Sequence, residues 1–152
     1  MKVRETPTDT RGETRVHATA IVDADAELGV GVTVGPWALI GPRVRVGAGT
    51  EVGPRVLIEK DTIVGEDCRL ANGAVLGTDP QDLKYKGEHS TLEVGDRTVV
   101  REFATLNRGT AASGRTIVGS DCLLMAYTHV AHDCEIGSHV VLANSVNMGG
   151  HV

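Results

Sequence analysis

The chain has 152 residues, a formal net charge of −5 and 41% hydrophobic residues, enough for one domain with a sizeable core. The acidic balance argues against a nucleic-acid partner gripped through its phosphates. No apolar run approaches the roughly 18 residues that a membrane span requires, and the polar opening MKVRETPTDTRGETR lacks a signal-type apolar stretch, so a cytoplasmic protein with no membrane span is expected.

Taken in chain order, residues 1–15 read as a polar tail. From Val16 the sequence divides into sixes, VHATAI, VDADAE, LGVGVT and onward to LGTDPQ at 76–81. Residues 82–93 interrupt the period, which resumes over 94–111. Residues 112–117 interrupt it again, and it then runs from Val118 to the end, giving a domain over 16–152. Across twenty units the first position is Val, Ile or Leu, with Met148 the exception; the fifth is Ala, Val, Thr or Cys, with Pro80 the exception. A helix of period 3.6 cannot place every sixth residue on one narrow face, whereas short strands joined by tight turns can.

The first position therefore points inward and fills a core, and the fifth points inward near a corner that takes only small side chains. The frequent Gly at the second position suits a turn of unusual φ/ψ. Three such strands close one turn of eighteen residues. The fold class expected is all-β: a parallel β-helix of about seven triangular coils stacked at about 4.8 Å, with two corner loops. The composition agrees, since 19 Gly and only 3% aromatic residues describe a narrow core filled by aliphatic side chains. Cys68, Cys122 and Cys134 all fall at the fifth position and read as buried fillers.

Numbering the faces one to three from Val16, both interruptions leave the corner after face two, and the units beginning at Leu76, Leu106, Val130 and Met148 stack on that face. Two loops beside one strip are a common way to build a site. In that strip His132 lies eighteen residues before Gly150, hence in register on adjacent coils, with His151 one step further and His129 closing the preceding unit. Asp133 follows His132 and can orient an imidazole. A neutral imidazole suits removal of a proton from an alcohol or amine. Gly149 and Gly150 leave backbone N–H groups open to an oxyanion. No Ser or Cys nucleophile stands beside a base, which favours direct attack by an acceptor. The three-residue spacing of His129 and His132 on a β coil does not converge on an ion, so no metal is expected.

The segments GTDPQDLKYKGE, REFATLNRGT, LLMAYTHVAHDCEIG and LANSVNMGGHV, with the opening VHATAIVDADAELGVGVTVGPWALIGP, resemble the UDP-N-acetylglucosamine O-acyltransferase family over about residues 16–152. The pairing of PQDLKY with AHDC carries the specificity. The resemblance implies a left-handed helix and a homotrimer with sites in clefts between subunits. It implies transfer of a (3-hydroxy)acyl chain from acyl carrier protein to the 3-hydroxyl of UDP-N-acetylglucosamine, the first step of lipid A synthesis, with no cofactor. His132 matches the general base, Asp133 its support and Gly150 the oxyanion donor. His129, His151, Asp82 and Lys84 match substrate contacts. The family continues through further coils and a C-terminal helical domain, so a C-terminally truncated chain of doubtful activity is expected. The alternatives are a related hexapeptide acyltransferase with another acceptor or donor, and a non-catalytic scaffold.

Overall fold

A computed structural model describes residues 12–152, so most of the expected tail, residues 1–11, lies outside the described residues. Among the described residues, twenty strands of two to four residues form three parallel sheets of seven, seven and six strands, each strand hydrogen-bonded to those three places before and after it. One coil therefore consists of three strands, and the sheets are the faces of a triangular column. Pairing starts with Arg15–Val16, one residue before the expected start.

The register measures the insertions. Val34 pairs with Val52 and Val46 with Val64, both eighteen apart. Leu76 pairs with Leu106, thirty apart, and Leu106 with Val130, twenty-four apart. The two loops thus add twelve and six residues, and Leu76, Leu106, Val130 and Met148 stack on face two as expected.

The loop boundaries differ from those read in the sequence. Pairing resumes at Thr91–Val94 and Arg115–Val118, ahead of the anticipated Val94 and Val118. Leu92 sits in register between Thr62 and Thr116 and is fully buried. It fills the fifth-position place that the sequence frame had given to Pro80. The loops therefore span about 79–90 and 109–114.

First- and fifth-position side chains form the core: Val32, Ile40, Ile58, Ala74, Leu76, Leu106, Leu124 and Val130 are all within 1% of full burial. The three cysteines are unpaired and buried in the same column.

The second-position glycines play a different part from the one expected. Their backbone is not left-handed, Gly77 excepted. Outside the two loops, the other left-handed residues described are at the fourth position, from Trp37 (φ 59°) through Asp133 (φ 58°) to His151 (φ 64°) among the non-glycine ones. The second position instead lies against the next coil. A Cβ on Gly41 would stand 1.7 Å from the Glu59 carbonyl oxygen, and one on Gly47 would stand 2.5 Å from the Gly65 carbonyl. Glycine is used there for close approach of backbones rather than for turn geometry.

Candidate active site

The corner after face two brings four pieces of chain together: the first loop, the second loop, and the corners of the Val130 and Met148 units. His132 and Gly150 are in register, following the pairing of Val130 with Met148. The imidazole lies over Gly150, where a Cβ would come within 2.5 Å of His132 Cε1 and 2.7 Å of Nε2. His132 and His151 meet edge to face, ring centroids 5.0 Å apart. Asp133 and His151 occupy equivalent fourth positions, both in the left-handed conformation that Asp and His tolerate better than most residues.

His132 Nδ1 lies 2.8 Å from Asp133 Oδ2. With Asp133 ionised, Nδ1–H is the donor, and Nε2 is left as the basic atom. The Asp133 side chain is 1% exposed. The second loop supplies most of its donors: Thr110 N–H at 3.0 Å, Thr110 Oγ1 at 2.6 Å, Ser113 N–H at 3.2 Å and the Ser113 hydroxyl. Burial opposes ionisation of this carboxyl. The hydrogen bonds from Ser113, Thr110 and His132 overcome it and hold Asp133 well below the usual carboxylate range. Thr116 Oγ1 accepts the Asp133 N–H at 2.9 Å, fixing the backbone from beneath.

The first loop forms the opposite wall. Asp82, Leu83 and Lys84 line an open cleft of about 470 Å³ with His132, Gly150 and His151. Asp82 shapes its own turn, Oδ1 accepting from the Lys84 N–H at 2.9 Å and its carbonyl from the Tyr85 N–H at 3.0 Å. Glu88 ties the loops together, accepting from Lys86 N–H at 2.8 Å and Ala111 N–H at 3.2 Å.

Six of the seven residues singled out from the sequence thus gather here: His132, Asp133, Gly150, His151, Asp82 and Lys84. His129 stands apart from the cleft lining, on the outer side of face two, with Nδ1 2.7 Å from Thr105 Oγ1. Burial, and secondarily the nearby His132, lower its pKa. His132, Asp133 and His151 present ligand atoms within 4.8 Å of one another, close enough for an ion. The Asp133 oxygens are already committed to four donors from the second loop and to His132, which leaves the carboxylate poorly placed to ligate. A larger open groove of about 920 Å³ runs over Arg15, Glu51 and Arg69 on face one, but no imidazole backed by a carboxylate faces it.

Sequence reasoning missed Thr110 and Ser113, which hold Asp133, and Arg108, which holds the first loop. The available signal was position: LNRGT and its loop leave the same corner as VAHDCE. Thr110→Val is expected to weaken folding by about 1.5–3 kcal/mol at pH 7, since it removes a hydrogen bond to a buried charge. Because the folded-state pKa of Asp133 is depressed, its stabilisation is complete above the unfolded value of about 4 and is lost as pH falls through the folded value. The gap between wild type and Thr110→Val in urea unfolding should therefore narrow below about pH 4. A gap that is constant with pH would mean that the hydroxyl acts by packing alone.

Comparison with known proteins finds hexapeptide-repeat relatives that share this fold. The family model "Bacterial transferase hexapeptide (six repeats)" matches residues 43–78 and 115–150. The chain is 64% identical over 119 residues to the acyl-(acyl-carrier-protein)–UDP-N-acetylglucosamine O-acyltransferase of Chlorobaculum tepidum, covering 78% of this chain and 45% of that protein. It is 58% identical over 140 residues to the protein of the same name from Albidiferax ferrireducens, covering 91% and 53%. Among solved structures, LpxA from Acinetobacter baumannii superposes with a TM-score of 0.89 at 42% identity, over 90% of this chain and 53% of that one. The Francisella novicida UDP-N-acetylglucosamine acyltransferase gives 0.88 at 38% identity, over 90% and 50%. The chain spans about half the length of the curated relatives it matches. The column is accordingly a left-handed parallel β-helix.

Proposed function

The chain belongs to the UDP-N-acetylglucosamine O-acyltransferase family of hexapeptide-repeat proteins, and from that premise we propose that it serves transfer of a (3-hydroxy)acyl group from acyl carrier protein to the 3-hydroxyl of UDP-N-acetylglucosamine. The observation that carries this reading is the His132–Asp133 pair set over Gly150 in a cleft walled by Asp82 and Lys84.

His132 Nε2 takes the proton of the sugar hydroxyl as that oxygen attacks the thioester carbonyl carbon. Asp133, ionised and desolvated, holds the ring and stabilises the imidazolium that forms. The carbonyl oxygen becomes an oxyanion, for which the Gly150 N–H is the donor. Collapse of the tetrahedral intermediate breaks the carbon–sulfur bond, and the imidazolium returns its proton to the departing thiolate. Lys84 and Asp82, with His151, contact the sugar nucleotide from the cleft walls. His129, from its place on face two, contacts the substrate outside the cleft. No covalent acyl-enzyme and no cofactor is required.

We place the reaction in the cytoplasm, at the first step of lipid A synthesis; no helix long and apolar enough to cross a membrane occurs among the described residues. We also read the active form as a homotrimer. The outward column of face two begins Ile21, Leu39, Leu57, Val75, with Ile21 65% and Leu39 40% exposed. Trp37, Phe103 and Tyr127 stand exposed along the corner before it. An apolar strip of this kind is covered by self-association in many oligomers.

The test is a thioester-consumption assay with acyl-loaded carrier protein, comparing UDP-N-acetylglucosamine with 3-acylated UDP-glucosamine as acceptors. Ester product from the first alone is expected. Turnover only with the second would transfer the site to an N-acyltransferase, and no turnover with either would favour a scaffold.

A further inference from the structure

The first loop has little hydrophobic anchorage of its own. Leu83 at its tip is fully exposed, and the loop backbone from 79 to 90 contributes no strand. What fixes it is a charged side chain beneath it. Arg108 is 1% exposed, the largest fully buried side chain among the described residues, in a core otherwise made of aliphatic and small side chains. Its guanidinium donates to the Gly77 carbonyl, to Asp79 Oδ1 and, at 3.2 Å, to Tyr85 Oη. Tyr85 in turn donates to the Glu88 carbonyl at 3.1 Å. Arg108 N–H bonds to the Thr78 carbonyl at 3.0 Å, and Lys60 Nζ approaches Asp79 at 3.9 Å.

These contacts fall on both ends and the middle of the loop. Gly77 and Asp79 are at its departure, Tyr85 follows Lys84 directly, and Glu88 precedes its return. A buried guanidinium costs much desolvation unless its donors are met; here Gly77, Asp79 and Tyr85, at the root and in the body of the first loop, meet its two terminal nitrogens, while Nε is left without a hydrogen-bond partner. Its planar fork fixes direction as well as distance, which a lysine ammonium would not.

We propose that Arg108 is the positioning residue of the site: it sets the first loop as a rigid wall, so that Asp82 and Lys84 reach the substrate from a fixed distance. It does not touch the cleft lining and acts through Asp79 and Tyr85. The inference about substrate rests on the reading above for Asp82 and Lys84; the inference about the loop does not.

The two parts are separable by experiment. Arg108→Gln and Asp79→Asn are compared with wild type by limited trypsin digestion, with cleavage after Lys84 and Lys86 followed by mass. Each variant should be cut there at least about tenfold faster, the loss expected for a hydrogen bond to a charged group, while its thermal midpoint stays near that of wild type. Asp79→Asn carries the test alone if Arg108→Gln fails to fold, because Asp79 is half-exposed. Unchanged cleavage in a folded variant overturns the proposal. With turnover established, both variants should raise KM for UDP-N-acetylglucosamine by more than they lower kcat. Arg108→Lys should restore the charge but not the KM. Faster cleavage with an unaltered KM would retain the loop anchor and remove the substrate roles of Asp82 and Lys84. A fall in kcat alone would point to a merely structural arginine.

Discussion

Replacing His132 by alanine is expected to lower kcat/KM for acyl transfer by about 10²- to 10⁴-fold, the range associated with loss of a positioned general base. The fold should survive. The side chain points out at a corner rather than into the column, and Asp133 keeps its Thr110 and Ser113 donors when the imidazole is gone. Thermal unfolding of the variant within a few degrees of wild type, together with the rate loss, would separate chemistry from stability. His151 complicates the outcome in a definite way. Its Nδ1 is 3.9 Å from Asp133 Oδ2, so a small movement into the vacated space would give it the same carboxylate. Residual activity in His132→Ala should therefore fall further in the variant that also carries His151→Ala. Wild-type turnover in the single variant would remove His132 as the base, and His151 would then be the first residue to examine.

The column was legible because its signal is one-dimensional. A solenoid repeats the same inward and outward choice every six residues, and Val, Ile or Leu at the first position reports that choice directly. The eighteen-residue register between His132 and Gly150 followed from it, which is why the centre of the site could be assembled from sequence. The loop boundaries were not legible, for a reason built into their lengths. Insertions of twelve and six residues are whole multiples of the repeat, so the frame stays in phase wherever the chain is cut. LGTDPQ passes as a unit through Leu76 and Gly77, and only Pro80 betrays it; Leu92, the residue that fills the column, carries no mark in the linear pattern. The second-position glycines misled for a related reason. Abundance of glycine signals either positive φ or lack of room, and only the neighbouring coil distinguishes them. The support of Asp133 by Thr110 and Ser113 was hidden because it depends on how a loop folds back twenty residues away in sequence.

Gly150→Ala tests the lack of room where it matters most. The added methyl would lie 2.5 Å from His132 Cε1, 2.7 Å from Nε2 and 3.0 Å from Nδ1, against the 3.5–4.0 Å at which carbon atoms rest. One partner has to move by about 1 Å. If the ring moves, it does so against the His151 edge and away from Asp133 Oδ2, stretching a hydrogen bond now at 2.8 Å. If the corner moves instead, the His151 N–H bond to the His132 carbonyl at 3.1 Å is lost, and the Gly150 N–H shifts away from the oxyanion. Either displacement spoils the line from base to acceptor to donor, and misplacement on that scale costs about 10²-fold in rate. The expected result is a fall in kcat for Gly150→Ala, with the variant unfolding at nearly the wild-type temperature. A Gly150→Ala variant with undiminished kcat would show that the imidazole can work from another place, and the stacking of His132 on the Gly150 corner would lose its catalytic meaning.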